Sequence, residues 1–210
     1  MNRYVIFANG DYDPPLKDHI DVCDHLVAVD GGAEYAIRDG FQPEMVIGDF
    51  DSLVPDILKQ FSQNQIIRYP ADKDKTDLEL AADYCVEHSA TDIRILHACG
   101  GRMDQFLGNF LLFVQPKYSH LNVEFYCKNQ MITILHPHVK KEFVGRRGDG
   151  FSIVPLADEV NIDYLNGTKW ELKEETIRMG QSLSLSNEFI QISVKLLTRL
   201  GVCLVVHIKN

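Results

Sequence analysis

The stretch Gly48-Asp49-Phe50-Asp51-Ser52 carries two carboxylates two residues apart, directly after the apolar run Met45–Ile47. Where a chain turns at the end of a strand, two such carboxylates can converge on one hard cation such as Mg²⁺. The competing interpretation is structural, with Asp51 or Ser52 capping a helix that begins at Pro55. Taken alone, this stretch leaves a metal site and an acidic turn both open.

A second acidic stretch, Asp72-Lys73-Asp74-Lys75-Thr76-Asp77, follows another apolar run. Thr76 and Glu79 match the capping-box pattern that starts a helix, and an aspartate in the first turn suits the helix dipole. These structural roles explain Thr76 and Asp77 without any chemistry. They do not explain Lys73 or Asp74, which are therefore the better functional candidates in this stretch.

Two glycine-containing turns have the composition of phosphate-binding loops. Asp30-Gly31-Gly32 follows one apolar run, and Gly100-Gly101-Arg102-Met103-Asp104 follows another. Glycines let the backbone approach a phosphate, and the free N–H groups that open a helix favour an anion. Arg102 adds a guanidinium that can bind phosphate through two hydrogen bonds. The alternative is a pair of tight turns, with Asp104 capping the helix that follows.

In the second half of the chain, the single tryptophan lies in Gly167-Thr168-Lys169-Trp170, and a polar stretch follows at Ser184-Leu185-Ser186-Asn187. An aromatic plane can stack on a flat heterocycle and attract a cationic ring. Burial in a core is the competing and more common role of a lone tryptophan in a strand. Both interpretations of Trp170 stay open at this point.

Net charge separates the two halves of the chain. The overall charge is −9, but residues 1–110 carry 20 acidic and 9 basic side chains, whereas residues 111–210 carry 10 and 12. An acidic first half argues against nucleic-acid binding, which uses a basic face. Such a half can bind a polyphosphate only if metal ions stand between the like charges.

Several other classes of protein are not favoured. The chain has neither the G-x-x-x-x-G-K-[ST] pattern of P-loop kinases nor the G-x-S-x-G pattern of serine hydrolases. Its apolar runs are far shorter than the ~20 residues of a membrane span, so we predict no membrane partner. The five cysteines are scattered without a C-x-x-C pair. We therefore expect neither a disulfide framework nor a structural zinc site, and a cytoplasmic location.

Alternating apolar runs and helical stretches in the first half predict an α/β sandwich with a mostly parallel, Rossmann-like sheet. In such sheets ligands bind beyond the carboxyl ends of the strands, where the polar turns above are found. The predicted strands are Tyr4–Ala8, His25–Val29, Met45–Ile47, Gln65–Tyr69 and Asp92–Ala98. The predicted helices are Leu16–Val22, Ala33–Asp39, Pro55–Gln63, Asp77–His88 and Asp104–Val114, with Gly40 ending the second.

Beyond about Asn122 short strands predominate, which predicts a small antiparallel β-sandwich or barrel. We predict domains over residues 1–138 and 139–210, with Lys140–Gly150 as a linker. Val123–Cys127 and Met131–His136 are expected to complete the first sheet. The strands expected in the second domain are Phe151–Leu156, Val160–Tyr164, Lys169–Leu172, Ser182–Ser186, Phe189–Val194 and Val202–Ile208.

The order of the polar turns along the chain resembles that of thiamine pyrophosphokinase. The resemblance extends over nearly the whole chain and includes a Gly-x-Lys-Trp and a Ser-Asn pair in the second half. One position departs from the family pattern, because Gln105 stands where a histidine usually follows the Gly-Gly-Arg-x-Asp run. A glutamine can form hydrogen bonds but cannot titrate.

The resemblance implies an ATP-dependent transfer of a pyrophosphoryl group to the hydroxyl of thiamine, with Mg²⁺ as cofactor and AMP released. It implies a homodimer in which residues 1–138 bind the nucleotide and residues 139–210 bind thiamine and form the dimer. The implied metal ligands and catalytic residues are Asp49, Asp51, Asp74 and Asp77, with Arg102 also catalytic. The implied ATP contacts are Asp30, Gly31, Gly32, Lys73, Thr76, Gly100, Gly101 and Arg102, and the implied thiamine contacts are Asp104, Trp170, Ser186 and Asn187.

Three alternatives remain. A pyrophosphokinase for another heterocyclic alcohol, such as a hydroxymethyl-pterin, would share the first domain, but the permanent charge of thiamine favours a stacked Trp170. A non-catalytic nucleotide-binding regulator would not need the aspartates together with Lys73 and Arg102. A phosphatase with a nucleophile in Asp49-Phe50-Asp51 would release phosphate without any acceptor.

Overall fold

The computed structural model describes residues 2–13, 17–51 and 53–210, which form two compact units. The first unit takes the chain up to Leu112 together with His120–Lys128. The second takes Phe113–Ser119 and Asn129–Asn210. Leu16, at which one helix is predicted to begin, and Ser52 of the first acidic stretch lie outside the described residues.

A parallel sheet forms the centre of the first unit, as predicted. Its central strands carry runs of apolar side chains, as expected of a parallel sheet, and Val5, Ile6 and Ile93 are fully buried. The strands run in the order β6-β5-β1-β2-β3-β4, and each neighbouring pair is parallel. They are β1 (Arg3–Phe7), β2 (His25–Val29), β3 (Met45–Gly48), β4 (Ile66–Arg68), β5 (Asp92–Leu96) and β6 (Asn122–Cys127).

Four α-helices connect these strands in the described part of the chain: α1 (Gly32–Arg38), α2 (Pro55–Leu58), α3 (Asp77–Glu87) and α4 (Met103–Leu112). The helix expected at Leu16–Val22 is wrong, because its described part forms only a 3-10 turn, Lys17–His19. Helix α2 is shorter than predicted and buries none of its side chains, so it has no packed face to extend it. No helix among the described residues has the length and apolar character of a membrane span.

The second unit is a sandwich of two layers of antiparallel strands, so the predicted fold class is confirmed. Their strand orders are β12-β9-β14-β7 and β11-β10-β13-β8. Alternate side chains of both sheets fill the core, among them Phe143, Phe151 and Phe189. The strands are β7 (Gln130–Leu135), β8 (Lys140–Val144), β9 (Gly150–Pro155), β10 (Glu159–Asn166), β11 (Leu172–Arg178), β12 (Asn187–Glu188), β13 (Ser193–Leu200) and β14 (Cys203–Ile208).

Several predicted segments of this sandwich are wrong. The supposed linker Lys140–Gly150 begins with strand β8, in which Phe143 is the one buried side chain. Its charged neighbours are typical of an exposed sheet edge, and they conceal the strand pattern. Neither Lys169–Leu172 nor Ser182–Ser186 is a strand, and the strand predicted at Phe189–Val194 begins only at Ser193. A turn takes the place of the strand predicted at Ser182–Ser186, and in it the buried Ser184 hydroxyl donates to the Ile153 carbonyl at 2.7 Å.

Two cysteines are joined, contrary to expectation. Cys99 and Cys127 form a disulfide with their Cα atoms 5.9 Å apart. They are 28 residues apart in sequence, and only the parallel pairing of β5 with β6, in which Leu96 lies opposite Tyr126, brings them together. The spacing of cysteines along the chain does not contain this information.

Candidate active site

Strands β2 and β3 end side by side, and this places Asp30 directly against the first acidic stretch. The Asp30 carboxylate accepts a hydrogen bond from the Phe50 N–H at 3.2 Å. A Cβ atom at Gly48 would lie 1.8 Å from Asp30 Oδ1, so a larger residue here would displace the Asp30 carboxylate from its present position. The absence of a side chain at position 48 therefore lets the Asp30 carboxylate lie over the end of strand β3.

Lys73 gathers the carboxylates at this edge of the sheet into one cluster. Its ammonium lies 2.9 Å from Asp77 Oδ1 and 3.7 Å from Asp49 Oδ2. The three side chains are only 13–19% exposed. Asp30, Asp49, Lys73 and Asp77 are called the Lys73 cluster below. The structure thus brings together four of the predicted ATP or metal residues, Asp30 and Lys73 from the predicted ATP contacts and Asp49 and Asp77 from the predicted metal ligands.

The charges in the Lys73 cluster perturb one another. Burial, together with the nearby Asp77 and Asp49 carboxylates, raises the pKa of Asp30 to about 6. Burial alone would lower the pKa of Lys73, but its contacts with Asp77 and Asp49 outweigh burial and raise it. The cluster therefore contains more negative charge than one ammonium balances, and it favours a second cation or a proton.

The remaining two predicted metal ligands are more open to solvent. Asp51 and Asp74 are both exposed, and the Asp51 N–H donates to Asp49 Oδ1 at 3.0 Å. The helix-capping alternative for Asp51 is not supported, because Val54 is the N-cap of α2 and no side chain caps it. Among the described residues, no three His, Cys, Asp or Glu side chains meet in a ready-made metal site. The oxygen donors nevertheless have the chemistry that a hard cation requires.

Arg68, which the sequence patterns did not single out, contacts the turn formed by Asp49 and Phe50. Its guanidinium donates to the Asp49 carbonyl at 2.7 Å and lies 4.7 Å from the centre of the Phe50 ring. Phe50 has a left-handed backbone, with φ of 64°. The signal that could have revealed Arg68 is its position, because a basic residue ends strand β4 at the edge where the acidic turns lie.

The start of helix α3 follows the predicted capping pattern. The Thr76 hydroxyl accepts the N–H of Glu79 at 3.2 Å, and Asp77 is the first residue of the helix. Thr76 therefore caps the helix, and in the predicted ATP contact the same hydroxyl would also have to bind the nucleotide. On the neighbouring helix, Gly31 is the N-cap of α1 and Gly32 its first residue.

The second glycine turn, Gly100-Gly101, joins β5 to α4 with φ angles of 84° and 65°. Arg102 and Asp104 behind it contact each other through two hydrogen bonds, at 3.1 Å and 2.5 Å. Arg102 lowers the pKa of Asp104 to about 2, with a smaller contribution from the Gln105 N–H. Both side chains are about two-thirds exposed, so an anionic ligand can compete for the guanidinium.

In the β-sandwich, Trp170 is 55% exposed, so the core interpretation of its side chain is wrong. The Lys169 ammonium lies 4.8 Å from the centre of its ring. Asn187 is buried and holds the Trp170 backbone, accepting its N–H at 3.1 Å and donating to its carbonyl at 2.8 Å. Asn187 thereby positions the tryptophan. Ser186 is exposed, has φ of 59°, and its N–H donates to the Ser152 hydroxyl.

Comparison with known proteins identifies the family. The model described as the catalytic domain of thiamin pyrophosphokinase matches residues 16–125, and the model of its vitamin B1 binding domain matches residues 136–203. The chain belongs to the thiamin pyrophosphokinase family. The resemblance drawn from the order of the polar turns is thereby confirmed.

Individual relatives agree with this assignment. A thiamine pyrophosphokinase of Bacillus subtilis (strain 168) is 29% identical over 197 residues, which cover 90% of this chain and 91% of the relative. Thiamine pyrophosphokinase 2 of Arabidopsis thaliana is 26% identical over 73% of this chain, and the match spans only 61% of the plant protein.

Solved structures show the same fold. A crystal structure of a thiamin pyrophosphokinase from Geobacillus thermodenitrificans has a TM-score of 0.84 at 29% identity, covering 100% of this chain and 98% of that one. One of the Bacillus subtilis thiamine pyrophosphokinase has a TM-score of 0.88 at 24% identity, covering 100% of both chains. The α/β unit and the β-sandwich are therefore those of family members.

Proposed function

We propose that this chain transfers the pyrophosphoryl group of ATP to the hydroxyl of thiamine, giving thiamine diphosphate and AMP. The observation that carries the proposal is the match of both family domains, in order, on one chain. The Lys73 cluster lies at strand ends within the first match, and an exposed Trp170 lies within the second. A match to a vitamin B1 binding domain does not favour the pterin alternative.

ATP binds along the carboxyl edge of the parallel sheet. The turns at Asp30-Gly31-Gly32 and Gly100-Gly101 bring backbone close to the phosphates, and the N-terminus of α3 behind Thr76 adds free N–H groups. Lys73 and Arg102 contact the phosphates. For Arg102 this requires exchange of its present partner Asp104 for phosphate, which the exposure of both side chains permits.

Asp49, Asp51, Asp74 and Asp77 hold Mg²⁺ in this proposal. The support is their all-oxygen donor set and the negative charge near Asp30, whose pKa is raised to about 6 by burial first and by the Asp77 and Asp49 carboxylates second. Bound by these carboxylates, Mg²⁺ would supply the positive charge that lets an acidic site accept a polyphosphate. Without it, each carboxylate–phosphate pair in close contact would repel by about 4 kcal/mol at an effective dielectric constant near 20.

The chain's own groups position the reactants and balance charge. The thiamine hydroxyl attacks the β-phosphorus in line, and AMP leaves. Lys73 and Arg102 stabilise the negative charge that develops on the transferred group. An aspartate accepts the hydroxyl proton, with Asp74 and Asp77 as the two candidates.

Thiamine stacks on Trp170 and contacts Ser186, Asn187 and Asp104. We assign residues 1–138 to nucleotide binding and catalysis and residues 139–210 to thiamine binding and dimer formation, in a cytoplasmic homodimer. The exposed Trp170 indole supports thiamine binding by the second of these segments, because a cationic ring can reach it.

Mixed dimers test the homodimer proposal. At a thiamine concentration well below KM, the Asp51→Asn and Trp170→Ala homodimers should each be nearly inactive, and subunit exchange places both lesions in one site and leaves the other intact. Random mixing gives about half heterodimers with one good site each, so about a quarter of wild-type activity should return. A mixture that stays inactive, although mass spectrometry shows exchange, would place both residues in a site built from one chain.

The nucleotide product tests the reaction itself. The protein is incubated with ATP and Mg²⁺, with thiamine, with a hydroxymethyl-pterin or with no acceptor. AMP should form only with thiamine. ADP with thiamine monophosphate would contradict pyrophosphoryl transfer, and phosphate release without an acceptor would favour the phosphatase. Nucleotide binding without any turnover would favour the regulator.

A further inference from the structure

The parallel sheet of the first unit reverses its strand order at β1. The chain places β2, β3 and β4 on one side of β1 and then β5 and β6 on the other. In open parallel sheets, ligands bind in the crevice that such a reversal leaves beyond the carboxyl ends of the strands. Here the crevice lies between the loop after β1, residues 8–11, and the loop after β5, residues 97–101. The loop after β1 supplies none of the residues assigned to ATP above.

Backbone hydrogen bonds join these two loops. The Gly10 N–H donates to the His97 carbonyl at 2.7 Å, and the Asp11 N–H donates to the Cys99 carbonyl at 3.0 Å. The Tyr12 ring, next along the chain, stacks on the His97 ring with 5.3 Å between their centres. The backbone of Asp11 is therefore held in place from both sides.

The Asp11 carboxylate lies against the glycine turn that follows β5. A Cβ atom at Gly100 would lie 2.0 Å from Asp11 Oδ2, whereas one at Gly101 would lie 3.7 Å from Asp11 Oδ1. The carboxylate thus covers the bare face of Gly100. Gly101 and Arg102 are both exposed, so this end of the turn is open to a phosphate.

Asp11 has no structural partner in the described part of the chain. Its side chain is exposed, and no described residue donates a hydrogen bond to its carboxylate or forms an ion pair with it. Two neighbouring aspartates differ in this respect. Asp13 accepts the Lys128 N–H, and Asp24 accepts the Arg3 guanidinium at 2.7 Å. Asp11 is therefore available to hydrogen-bond donors of a ligand in the crevice.

The chemistry of a carboxylate determines which part of ATP it can contact. An ionised carboxylate only accepts hydrogen bonds, so it matches donor groups and repels phosphate oxygens. The ribose hydroxyls are donors, and in dinucleotide-binding sheets an aspartate or glutamate accepts from such a hydroxyl. The ribose is linked to the α-phosphate through its C5′ atom. A ribose at Asp11 therefore leaves the phosphates within reach of the neighbouring Gly101 and Arg102.

We propose that Asp11 binds the ribose of ATP, accepting hydrogen bonds from its 2′ and 3′ hydroxyls, and that it makes the site selective for ribonucleotides. The inference rests on the proposed function for the identity of the nucleotide. It is specific to this residue, because the match to the family's catalytic domain begins at residue 16 and does not include Asp11.

The test compares the equilibrium dissociation constants of ATP, 2′-deoxy-ATP and 3′-deoxy-ATP. Isothermal titration calorimetry is performed on the full-length protein with Mg²⁺ and without thiamine. The wild type should bind each deoxynucleotide about tenfold more weakly than ATP, on the order expected for one hydrogen bond to a charged group. Asp11→Ala should bind ATP at least about tenfold more weakly and no longer distinguish the three nucleotides. Asp11→Asn keeps one acceptor oxygen and should retain part of the preference.

Asp18→Ala is the matched control, because Asp18 is an exposed aspartate of the same unit, on the 3-10 turn Lys17–His19. It should keep the wild-type preference for ATP. A wild type that binds all three nucleotides equally would overturn the ribose contact. So would an Asp11→Ala variant that still prefers ATP over the deoxynucleotides, which is the pattern expected if Asp11 held a metal ion instead.

Inosine triphosphate, which lacks the adenine amino group, provides a further arm. The Asp11→Ala substitution should weaken its binding by the same factor as that of ATP, and a loss confined to ATP would overturn the proposal in favour of a contact with adenine. An Asp11-dependent preference for ATP over its deoxy forms in a protein that makes no AMP would refute the proposed function alone.

Discussion

Replacing Lys73 by methionine removes the one ammonium of the Lys73 cluster while keeping a side chain of similar length. The lysine lies 2.9 Å from Asp77 and 3.7 Å from Asp49, among side chains that are less than one-fifth exposed. At an effective dielectric constant of about 20, these pairs amount to roughly 6 and 4.5 kcal/mol of attraction before desolvation. Releasing the ammonium from burial offsets most of that, so we expect a net loss of about 2–3 kcal/mol in unfolding free energy.

The loss should depend on pH in a defined direction. The folded pKa of Asp30 is raised from 3.8 to about 6, so the folded protein holds this proton more tightly than the unfolded chain does. Stability therefore falls as the pH rises from about 4 to about 6 and then levels off. Without Lys73 the same fall should be larger, because Asp30 would ionise next to uncompensated carboxylates.

Urea unfolding, followed by circular dichroism in the presence of a chelator, measures both effects. Lys73→Met should be destabilised more at about pH 8 than at about pH 5, and Lys73→Arg, which keeps the charge, should lie close to wild type at both. Equal unfolding midpoints for Lys73→Met and wild type at about pH 8 would refute the charge balance inferred for the cluster.

Two further substitutions test the geometry of each unit. Gly48→Ala should cost about 1 kcal/mol and weaken ATP binding, because its Cβ would lie 1.8 Å from Asp30 Oδ1 and displace that carboxylate. Gly108 lies inside α4, and nothing lies within 4 Å of a Cβ atom there, so Gly108→Ala should instead stabilise the protein by up to about 1 kcal/mol. A lower melting temperature for Gly108→Ala than for Gly48→Ala would contradict the close approach of Asp30 to Gly48. Trp170→Ala should raise KM for thiamine about tenfold and leave KM for ATP unchanged. It should lower the free energy of unfolding by less than about 1 kcal/mol, whereas a loss of about 3–5 kcal/mol would mean a core tryptophan.

The parallel sheet could be predicted from the sequence because its central strands contain runs of buried apolar residues, such as Val5–Phe7 and Val27–Val29. The β-sandwich was harder to predict. Strand β8 buries only Phe143, and the supposed strand at Ser182–Ser186 is a turn in which the Ser184 hydroxyl bonds to the chain. In both cases side-chain burial depends on tertiary partners that local periodicity does not reveal.

Within the candidate site, carboxylates and a lysine could be identified from residue type, but their grouping could not. Asp30 joins the Lys73 cluster because β2 pairs with β3, and Arg68 reaches Asp49 because β4 pairs with β3. The Cys99–Cys127 bond likewise depends on β5 lying beside β6. Strand order determines all three contacts, and a single sequence does not specify strand order.

The movement of the terminal phosphates tests the central claim most directly. ATP radiolabelled at its γ-phosphorus is supplied with thiamine and Mg²⁺, and the products are separated and quantified. A pyrophosphoryl transfer predicts labelled thiamine diphosphate and unlabelled AMP in equal amounts, with no labelled monophosphate at early times. Label that appears in thiamine monophosphate together with ADP, or in free phosphate, would contradict the account.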